Sequence, residues 1–282
     1  MIILLTNDDG IYAPGLASMQ RQLSRLGDVF VVAPATEQSG VGHSITYLTP
    51  LIVKEVYLDD RQWGWAVEGS PADCVKIGIS ELCPARPDLV VSGINGGLNA
   101  GINVLYSGTV AAAIEGAFYG ITSVAVSLEY DEHAQFDKAA RIAGSIIEQV
   151  LENKGPEPQL YNMNIPTAAL EGAPEVRTVP MDVDLHGENY ERRTDPFGRV
   201  YYWPTAYPSP PLDGAETDLT ALKQGCVAVT PLDYNMTKSA VLEQMQSWRL
   251  TADAPADDGM AAVTGPVFRT RPKRLGGRAA GP

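Results

Sequence analysis

Short apolar runs alternate with helical patterns over the first 165 residues, and this alternation restricts the fold more than any other feature of the chain. Each run has the length of one strand and is apolar almost throughout, which is typical of strands buried on both faces. The predicted strands are 2–6, 29–34, 88–93, 123–128 and 160–165, with a strand pair at 45–58 that bends at Pro50. The predicted helices are 14–26, 71–82, 110–119 and 134–151. Such alternation implies parallel βαβ units, so we predict an α/β fold with three layers and a mostly parallel sheet.

The regular alternation ends near residue 165. The stretch 166–250 still contains a helical DLTALKQG and a strand-like CVAVTPL, and we interpret it as an elaboration of the core or a small second lobe. Residues 251–282 are rich in Ala, Gly, Pro, Asp and Arg and contain few apolar side chains that would anchor them. This composition predicts a tail that is disordered or only partly packed.

Composition and charge exclude several kinds of partner. The formal net charge is −13, whereas binding of a nucleic-acid polymer depends on Lys and Arg, so we predict no such polymer as a partner. No apolar run reaches the ~20 residues that span a bilayer, and the N-terminus lacks the pattern of a signal peptide. Cys74, Cys83 and Cys226 show no ligand spacing. We therefore expect reduced thiols, a cytoplasmic location and no membrane partner.

Polar segments that contain glycine follow three of the predicted strands. NDDG (7–10) follows the first strand, the loop 36–44 follows the second, and GINGGLNAG (93–101) follows the strand DLVVS. In an open α/β sheet, ligands bind outside the carboxyl ends of the strands, where these three segments would meet. Their convergence indicates a functional site at this edge of the sheet.

Four side chains in these segments offer oxygen ligands to a cation: Asp8, Asp9, Ser39 and Asn95. Two neighbouring carboxylates repel each other, and burying them is costly unless a cation compensates. A set of oxygen ligands suits Mg²⁺, Mn²⁺ or Ca²⁺ better than zinc or copper. Purely structural explanations also exist: a turn and helix cap for the two aspartates, an ordinary loop position for the serine, and a tight turn for the asparagine.

The helix start within YSGT provides candidate phosphate contacts. Free N–H groups and the dipole at a helix N-terminus favour an anion, which makes Ser107, Gly108 and Thr109 candidates for phosphate binding. Capping of the helix by Ser107 or Thr109 would explain the same residues. Neither a Walker A loop nor GxGxxG occurs in the glycine-rich segments. His43 follows Ser39 in one loop and is a candidate proton donor or substrate contact, although an ordinary surface histidine would also fit.

Together, these segments resemble the SurE family, the survival protein E nucleotidases. The matching stretches follow the family's order from residue 3 to about residue 237: ILLTNDDG, VVAPATEQSGVGHSIT, GSPADCVKIGI, PDLVVSGINGGLNAG, YSGTVAAAIEGA, NMNIP, DPFGRVYYW and VTPLDYNMT. The combination of NDDG, SGIN and YSGTV is highly specific. The tail after about residue 250 lies outside the resemblance.

The resemblance implies a phosphatase that depends on one divalent cation per subunit, with Mg²⁺ or Mn²⁺ preferred and Ca²⁺ as an alternative. Its implied substrates are nucleoside 5′- and 3′-monophosphates, with some activity on short polyphosphate. The implied domain covers 1–250. It has a Rossmann-like core over about 1–165 and elaboration and oligomerisation segments over about 166–250. Homodimers or homotetramers that exchange C-terminal segments are also implied.

The resemblance further assigns roles to individual residues. The implied metal ligands are Asp8, Asp9, Ser39 and Asn95. The implied phosphate-proximal loop consists of Ser107, Gly108 and Thr109. We expect Asn7 and His43 to contact the substrate, and Asp8, Asp9 and Asn95 to take part in catalysis. Whether Asp8 acts as a base or as a nucleophile that accepts the phosphoryl group stays open.

Two rival hypotheses account for part of the pattern. A phosphoaspartyl hydrolase would need an Asp-x-Asp pair after the first strand, whereas the two carboxylates here are adjacent. A regulatory module that binds metal and nucleotide without turnover would need the same ligands. Phosphate release measured with and without a chelator distinguishes such a module from the enzyme.

Overall fold

The structure is a computed structural model that describes residues 1–184, 189–205 and 215–252. The chain divides into two compact units, Met1–Tyr234 and Asn235–Pro282. The second unit contains one helix within its described part. Nearly all of the predicted tail 251–282 lies outside the described residues, so its predicted disorder stays a prediction.

The elements have the following bounds. The strands are β1 Ile2–Thr6, β2 Asp28–Pro34, β3 Val53–Leu58, β4 Arg61–Val67, β5 Leu89–Gly96, β6 Thr122–Leu128, β7 Leu160–Ile165, β8 Val176–Thr178, β9 Asn189–Thr194, β10 Val200–Thr205 and β11 Val227–Leu232. The helices are α1 Pro14–Leu23, α2 Pro71–Ile77, α3 Gly108–Phe118, α4 Phe136–Asn153, α5 Asp218–Lys223 and α6 Ser239–Gln246. Among the residues described, no helix combines the length and the hydrophobicity that crossing a membrane requires.

A mostly parallel sheet occupies the middle of the first unit. Within the described ranges, nine strands form this sheet in the order β3-β4-β2-β1-β5-β6-β7-β11-β8. The pairs from β4 through β2, β1, β5 and β6 to β7 are all parallel. The predicted α/β class is therefore confirmed. The carboxyl ends of β1, β2 and β5 lie side by side and position the candidate site.

Helices cover both faces of the sheet. Consecutive residues of β1 show this directly, because side chains alternate between the faces of a strand. Ile3 and Leu5 pack in the core cluster that contains residues of α1 and α4. Leu4 packs in a second cluster, with residues of α2 and α3. Burial of both faces explains why the central strands read as continuous apolar runs, and it produces the three layers predicted from the sequence.

The strand pair predicted over 45–58 is wrong in its first half. Residues 45–52 form no strand, and β3 pairs instead with β4, which the sequence analysis missed. Asp59 and Asp60 connect these two strands with positive φ angles of 49° and 61°. Polar residues tolerate this conformation in a tight hairpin turn, so the chain reverses here and not at Pro50.

The sheet continues beyond the strand that ends at Ile165. Strand β11 pairs antiparallel with β7, and β8 pairs with β11. Two strands of the stretch 166–250 thus extend the central sheet. Strands β9 and β10 form a separate antiparallel hairpin whose residues are all exposed. The domain boundaries proposed from the sequence stay predictions.

Candidate active site

The first part of the site is the turn that follows β1. Asn7 is fully buried, and its amide group contacts Gly10 at both ends. Its Nδ2 donates to the Gly10 carbonyl over 3.0 Å, and its Oδ1 accepts from the Gly10 amide over 3.2 Å. Asn7 was predicted to contact substrate. Both ends of its amide thus shape the turn that carries Asp8 and Asp9, and a contact of Asn7 with substrate stays a prediction.

Asp8 is held by the start of α3. Its side chain is buried, and one carboxylate oxygen accepts a short hydrogen bond from the Thr109 hydroxyl. The other oxygen accepts from the Thr109 amide over 3.1 Å. A Cβ atom on Gly108 would lie 3.0 Å from the Cβ of Asp8, so glycine permits this close approach. The Thr109 amide at this helix N-terminus thus contacts the protein's own carboxylate, and phosphate binding by Thr109 stays a prediction.

Asp9 also follows β1, and its side chain contacts the last residue of β5. One of its oxygens accepts from the Gly96 amide over 3.2 Å. Burial and the adjacent charge of Asp8 raise the pKa of Asp9 to about 6. Burial also raises the pKa of Asp8, although its hydrogen bonds with Thr109 lower it. Both aspartates therefore carry negative charge at an energetic cost.

A third carboxylate, Glu37, stands near this pair and was missed by the sequence analysis. Its charge raises the pKa of both Asp8 and Asp9. It lies in the loop that follows β2, where the adjacent Gln38 donates its amide N–H to the Asp8 carbonyl over 2.8 Å. Ser39 is exposed and donates its hydroxyl to Glu37 over 2.5 Å. The backbone contact of Gln38 and the charge of Glu37 thus bring the loop that carries Ser39 near the aspartates.

Asn95 reaches the site because β5 continues past a change of register. The pairing of β5 with β6 shifts between Ser92 and Asn95. A Cβ atom on Gly93, whose φ is +139°, would lie 2.3 Å from the Val126 carbonyl oxygen, so only glycine fits at this point. The Nδ2 of Asn95 donates to the Gly97 carbonyl over 2.6 Å. This bond leaves the Oδ1 of Asn95 available to a ligand.

A divalent cation fits this set of side chains. Among the described residues, no Lys, Arg or His contributes to the pKa of Asp8 or Asp9. No three His, Cys, Asp or Glu side chains in those residues are placed to hold a metal ion together. A cation would therefore need neutral oxygens besides the carboxylates, and Ser39 and Asn95 are the neighbouring groups that offer them.

The remaining start of α3 offers one amide to a ligand. The Ser107 hydroxyl accepts from the Val110 amide over 3.1 Å, so Ser107 caps the helix. The Thr109 amide donates to Asp8. The Gly108 amide makes no hydrogen bond among the described residues, so it is the donor at this end that an anion would meet.

His43 contacts a later part of α3 than Asp8 does. Its Nε2 lies 2.7 Å from Oε2 of Glu115, and its ring stacks on Phe118 with the ring centroids 5.6 Å apart. Glu115 follows Thr109 by six residues on α3, which is about 9 Å along the helix axis. One ring nitrogen of His43 is thus engaged with Glu115, and the expected substrate contact by His43 stays a prediction.

A buried amide network supports the glycine-rich loop that follows β5. Asn99 donates its backbone N–H to Oδ1 of Asn164 over 2.8 Å and its side-chain amide to the Ser127 hydroxyl over 2.9 Å. The side chains of Asn162 and Asn164 in turn donate to the Asn99 carbonyl. The signal for this network was the polar alternation of NMNIP in an otherwise apolar strand. Its effect is to hold the loop at the ends of β6 and β7.

Comparisons with known proteins show which proteins this chain is similar to. The family model described as "Survival protein SurE" matches residues 3–184. The chain is 58% identical over 252 residues to the 5′-nucleotidase SurE of Rhodopirellula baltica, covering 89% of this chain and 99% of that protein. It is 41% identical over 250 residues to the 5′-nucleotidase SurE of Syntrophobacter fumaroxidans, covering 89% and 100%. The crystal structure of the SurE protein from Aquifex aeolicus superposes with a TM-score of 0.77 at 36% identity, covering 88% of this chain and 99% of that one.

Proposed function

The chain belongs to the SurE family, and we propose that it hydrolyses nucleoside monophosphates to nucleoside and phosphate. The observation that carries this proposal is the pair of a buried Asp8 and a half-buried Asp9, which has no cationic side chain as a partner in the described residues. Such a pair is costly unless a cation and an anionic substrate complete it. The names of the two relatives, each a 5′-nucleotidase, support the 5′-monophosphate as substrate. We extend the proposal to 3′-monophosphates and short polyphosphate, as the family resemblance implies.

We propose that one divalent cation, Mg²⁺ or Mn²⁺, is held by the oxygens of Asp8, Asp9, Ser39 and Asn95. A cation bound there would polarise a phosphoryl oxygen and neutralise the charge that develops during hydrolysis. The carboxylates supply the charge, while the hydroxyl and the amide carbonyl supply neutral oxygens that suit a hard cation. The family resemblance implies these four ligands, and the convergence of the segments that carry them at one edge of the sheet supports the assignment.

Thr109, Asp9 and Gly108 contribute to the proposed site besides the bound cation. Thr109 engages both oxygens of Asp8 and so fixes the orientation of that carboxylate. Asp9 uses one oxygen for the Gly96 amide, and its other oxygen makes no hydrogen bond among the described residues. That oxygen can bind the cation, whose positive charge would offset the burial and the neighbouring charge of Asp8 that raise the pKa of Asp9. The Gly108 amide can donate to a phosphoryl oxygen.

A cleft beside the centre offers space for the nucleoside. It has a volume of about 680 Å³ and borders the loop after β2. Gln38 lies on the wall of this cleft, and its backbone N–H donates to the backbone carbonyl of Asp8. Ser70 also lines the cleft, next to Pro71, whose side chain approaches Gly108. We propose that the sugar and base enter this cleft while the phosphate stays at the start of α3.

The decisive experiment measures phosphate release from nucleoside 5′-monophosphates by metal-stripped protein. We expect no turnover in EDTA and recovery when Mg²⁺ or Mn²⁺ is added. Full turnover in the metal-stripped sample would contradict the metal proposal. Nucleotide binding without phosphate release at any metal concentration would identify a regulatory module instead of an enzyme. Assembly into homodimers or homotetramers and a cytoplasmic location stay predictions.

A further inference from the structure

A second group of charged side chains lies along α3. Glu115 has only 7% of its side chain exposed. One of its oxygens is 2.7 Å from Nε2 of His43, and the other is 3.4 Å from Nζ of Lys76. Burial alone would raise the pKa of Glu115, but the hydrogen bond with His43 and the charge of Lys76 hold it below its usual value. Glu115 is therefore a charged group with partners on two sides.

The three members of this cluster come from three different elements. Lys76 lies on α2, Glu115 lies on α3, and His43 lies in the loop that follows β2. The His43 ring also stacks on Phe118 with an angle of 19° between the ring planes. The cluster thus attaches the loop to the two helices that cover one face of the sheet.

The loop segment 39–43 has few other attachments. Just before this segment, the backbone N–H of Gln38 donates to the Asp8 carbonyl. Within the segment, the backbone N–H of Gly42 donates to the Tyr106 carbonyl over 2.9 Å. Gly40 and Gly42 both have positive φ angles, and a Cβ atom on Gly40 would meet no neighbour within 4 Å. Glycine permits many backbone conformations, so a segment with two glycines needs an external anchor to hold one geometry. The side chain of His43 provides such an anchor, in addition to the backbone hydrogen bond of Gly42.

We infer that Glu115 is a positioning residue which, by holding His43, fixes the segment 39–43 so that Ser39 stays within reach of the cation. The inference rests on the proposed function only for the role of Ser39 as a ligand. The same attachment fixes the approach of Glu37 to Asp8 and Asp9, since Glu37 and Ser39 share a hydrogen bond. Glu115 itself contacts His43 and Lys76 and, within the described residues, none of the four proposed ligands.

The test compares Glu115→Gln with the wild-type protein by two measurements that need no turnover. Hydrogen exchange reports the protection of the amides in 36–46, and titration of the metal-stripped protein reports the dissociation constant for Mn²⁺. Gln has nearly the shape of Glu, so the substitution removes charge with little change in packing. We expect faster exchange in the loop and about 10-fold weaker Mn²⁺ binding, the lower end of the range for groups that orient metal ligands. At saturating Mn²⁺, kcat should recover to within a few-fold of the wild-type value.

A double-mutant cycle with His43→Gln isolates the link between the two residues. If they act together, the double variant should bind Mn²⁺ about as weakly as either single variant. Asp137→Asn is the matched control, because it breaks an exposed pair with Arg21 on α1 and should leave loop exchange and Mn²⁺ affinity unchanged. A lower melting temperature of Glu115→Gln with unchanged exchange and affinity would overturn the inference.

Two further outcomes keep the test independent of other failures. Should Glu115→Gln not fold, His43→Gln tests the same link from the loop, where 30% of the side chain is exposed. Unchanged loop exchange in that variant would overturn the inference. Faster loop exchange in the variants, together with no Mn²⁺ binding by wild-type protein, would refute the metal site and support the positioning of the loop.

Discussion

Two buried carboxylate clusters contact the same helix, and they differ in what surrounds them. At the start of α3, Asp8 and Asp9 have Glu37 as their charged neighbour, and the pKa of Asp9 rises to about 6. Further along α3, Glu115 has His43 and Lys76 as partners, and its pKa falls below the usual value. The second cluster is complete without a ligand, whereas the first leaves negative charge uncompensated.

This difference separates a site for chemistry from a device for holding structure. A buried ion pair with its partners in place fixes the elements that carry it, and loss of one partner leaves an uncompensated charge. A buried set of like charges costs stability and creates affinity for a cation. The predictions below test whether the two clusters behave in these opposite ways.

The largest effect is expected at the aspartates. Asp8→Asn and Asp9→Asn should each lower kcat/KM for nucleoside monophosphates by roughly 100-fold or more, because each removes a charged metal ligand. Loss of a residue that only orients a metal ligand already lowers metal affinity or activity by ~10–100-fold. Steady-state kinetics at saturating Mn²⁺ measure this effect, with Asp137→Asn as the control. Activity near the wild-type value in either variant would make that aspartate a turn former.

A smaller loss of activity is expected when the hydroxyl that donates to Asp8 is removed. Thr109→Val deletes the hydroxyl that donates to Asp8 while keeping the shape of the side chain. We expect kcat to fall by about 10-fold, because the carboxylate loses an orienting partner. Thr109→Ser retains a hydroxyl and should stay within a few-fold of the wild-type value. Equal losses in both variants would show that packing of the methyl group matters and not the hydrogen bond.

The pH dependence of stability should distinguish the two clusters. The folded pKa of Asp9, about 6, lies above its ordinary value of 3.8. Between these pH values the folded protein binds more protons than the unfolded chain, so the contribution of Asp9 to the free energy of unfolding falls as pH rises and levels off above about 6. Glu115 has a lowered pKa, so its contribution is instead lost as pH falls.

Melting temperatures in EDTA measure this contrast. Relative to wild type, Asp9→Asn should gain stability as pH rises from about 4 to about 7, because the substitution removes the charge whose burial is costly. Glu115→Gln should show the opposite trend. Its melting temperature should lie below that of the wild type near neutral pH, and this difference should shrink as pH falls. Parallel melting curves for wild type and Asp9→Asn across this range would mean that Asp9 is already compensated in the metal-free protein.

The smallest effect concerns the cleft. Gln38→Ala should lower kcat/KM for nucleoside monophosphates by about 5-fold, since a lost hydrogen bond to a sugar or base costs about 1 kcal/mol. Activity on a generic aryl phosphate, which has no sugar to place there, should not change. Comparing the two substrates with one variant measures this difference. An equal loss on both would place the nucleoside outside the cleft.

Much of the fold follows from local patterns in the sequence. Strands β1 and β7 begin and end at the predicted residues, because each is a continuous apolar run with clear boundaries. Strand β4 was missed because Arg61, Gln62 and Gly64 interrupt its apolar pattern. The place of β4 in the sheet depends on its pairing with β2 and β3. The sequence of the seven-residue strand alone does not contain this information.

The sequence by itself determined the α/β class and the three polar segments that meet at one edge of the sheet. Periodicity and residue type are local properties, and the carboxyl ends of parallel strands lie together whatever the details of packing. Only the tertiary structure decided the partners. Thr109 binds Asp8 across 101 positions of the chain, and His43 binds Glu115 across 72. A donor at a helix start accepts either a phosphate or a carboxylate, and only the packing of α3 against the turn after β1 places the carboxylate there.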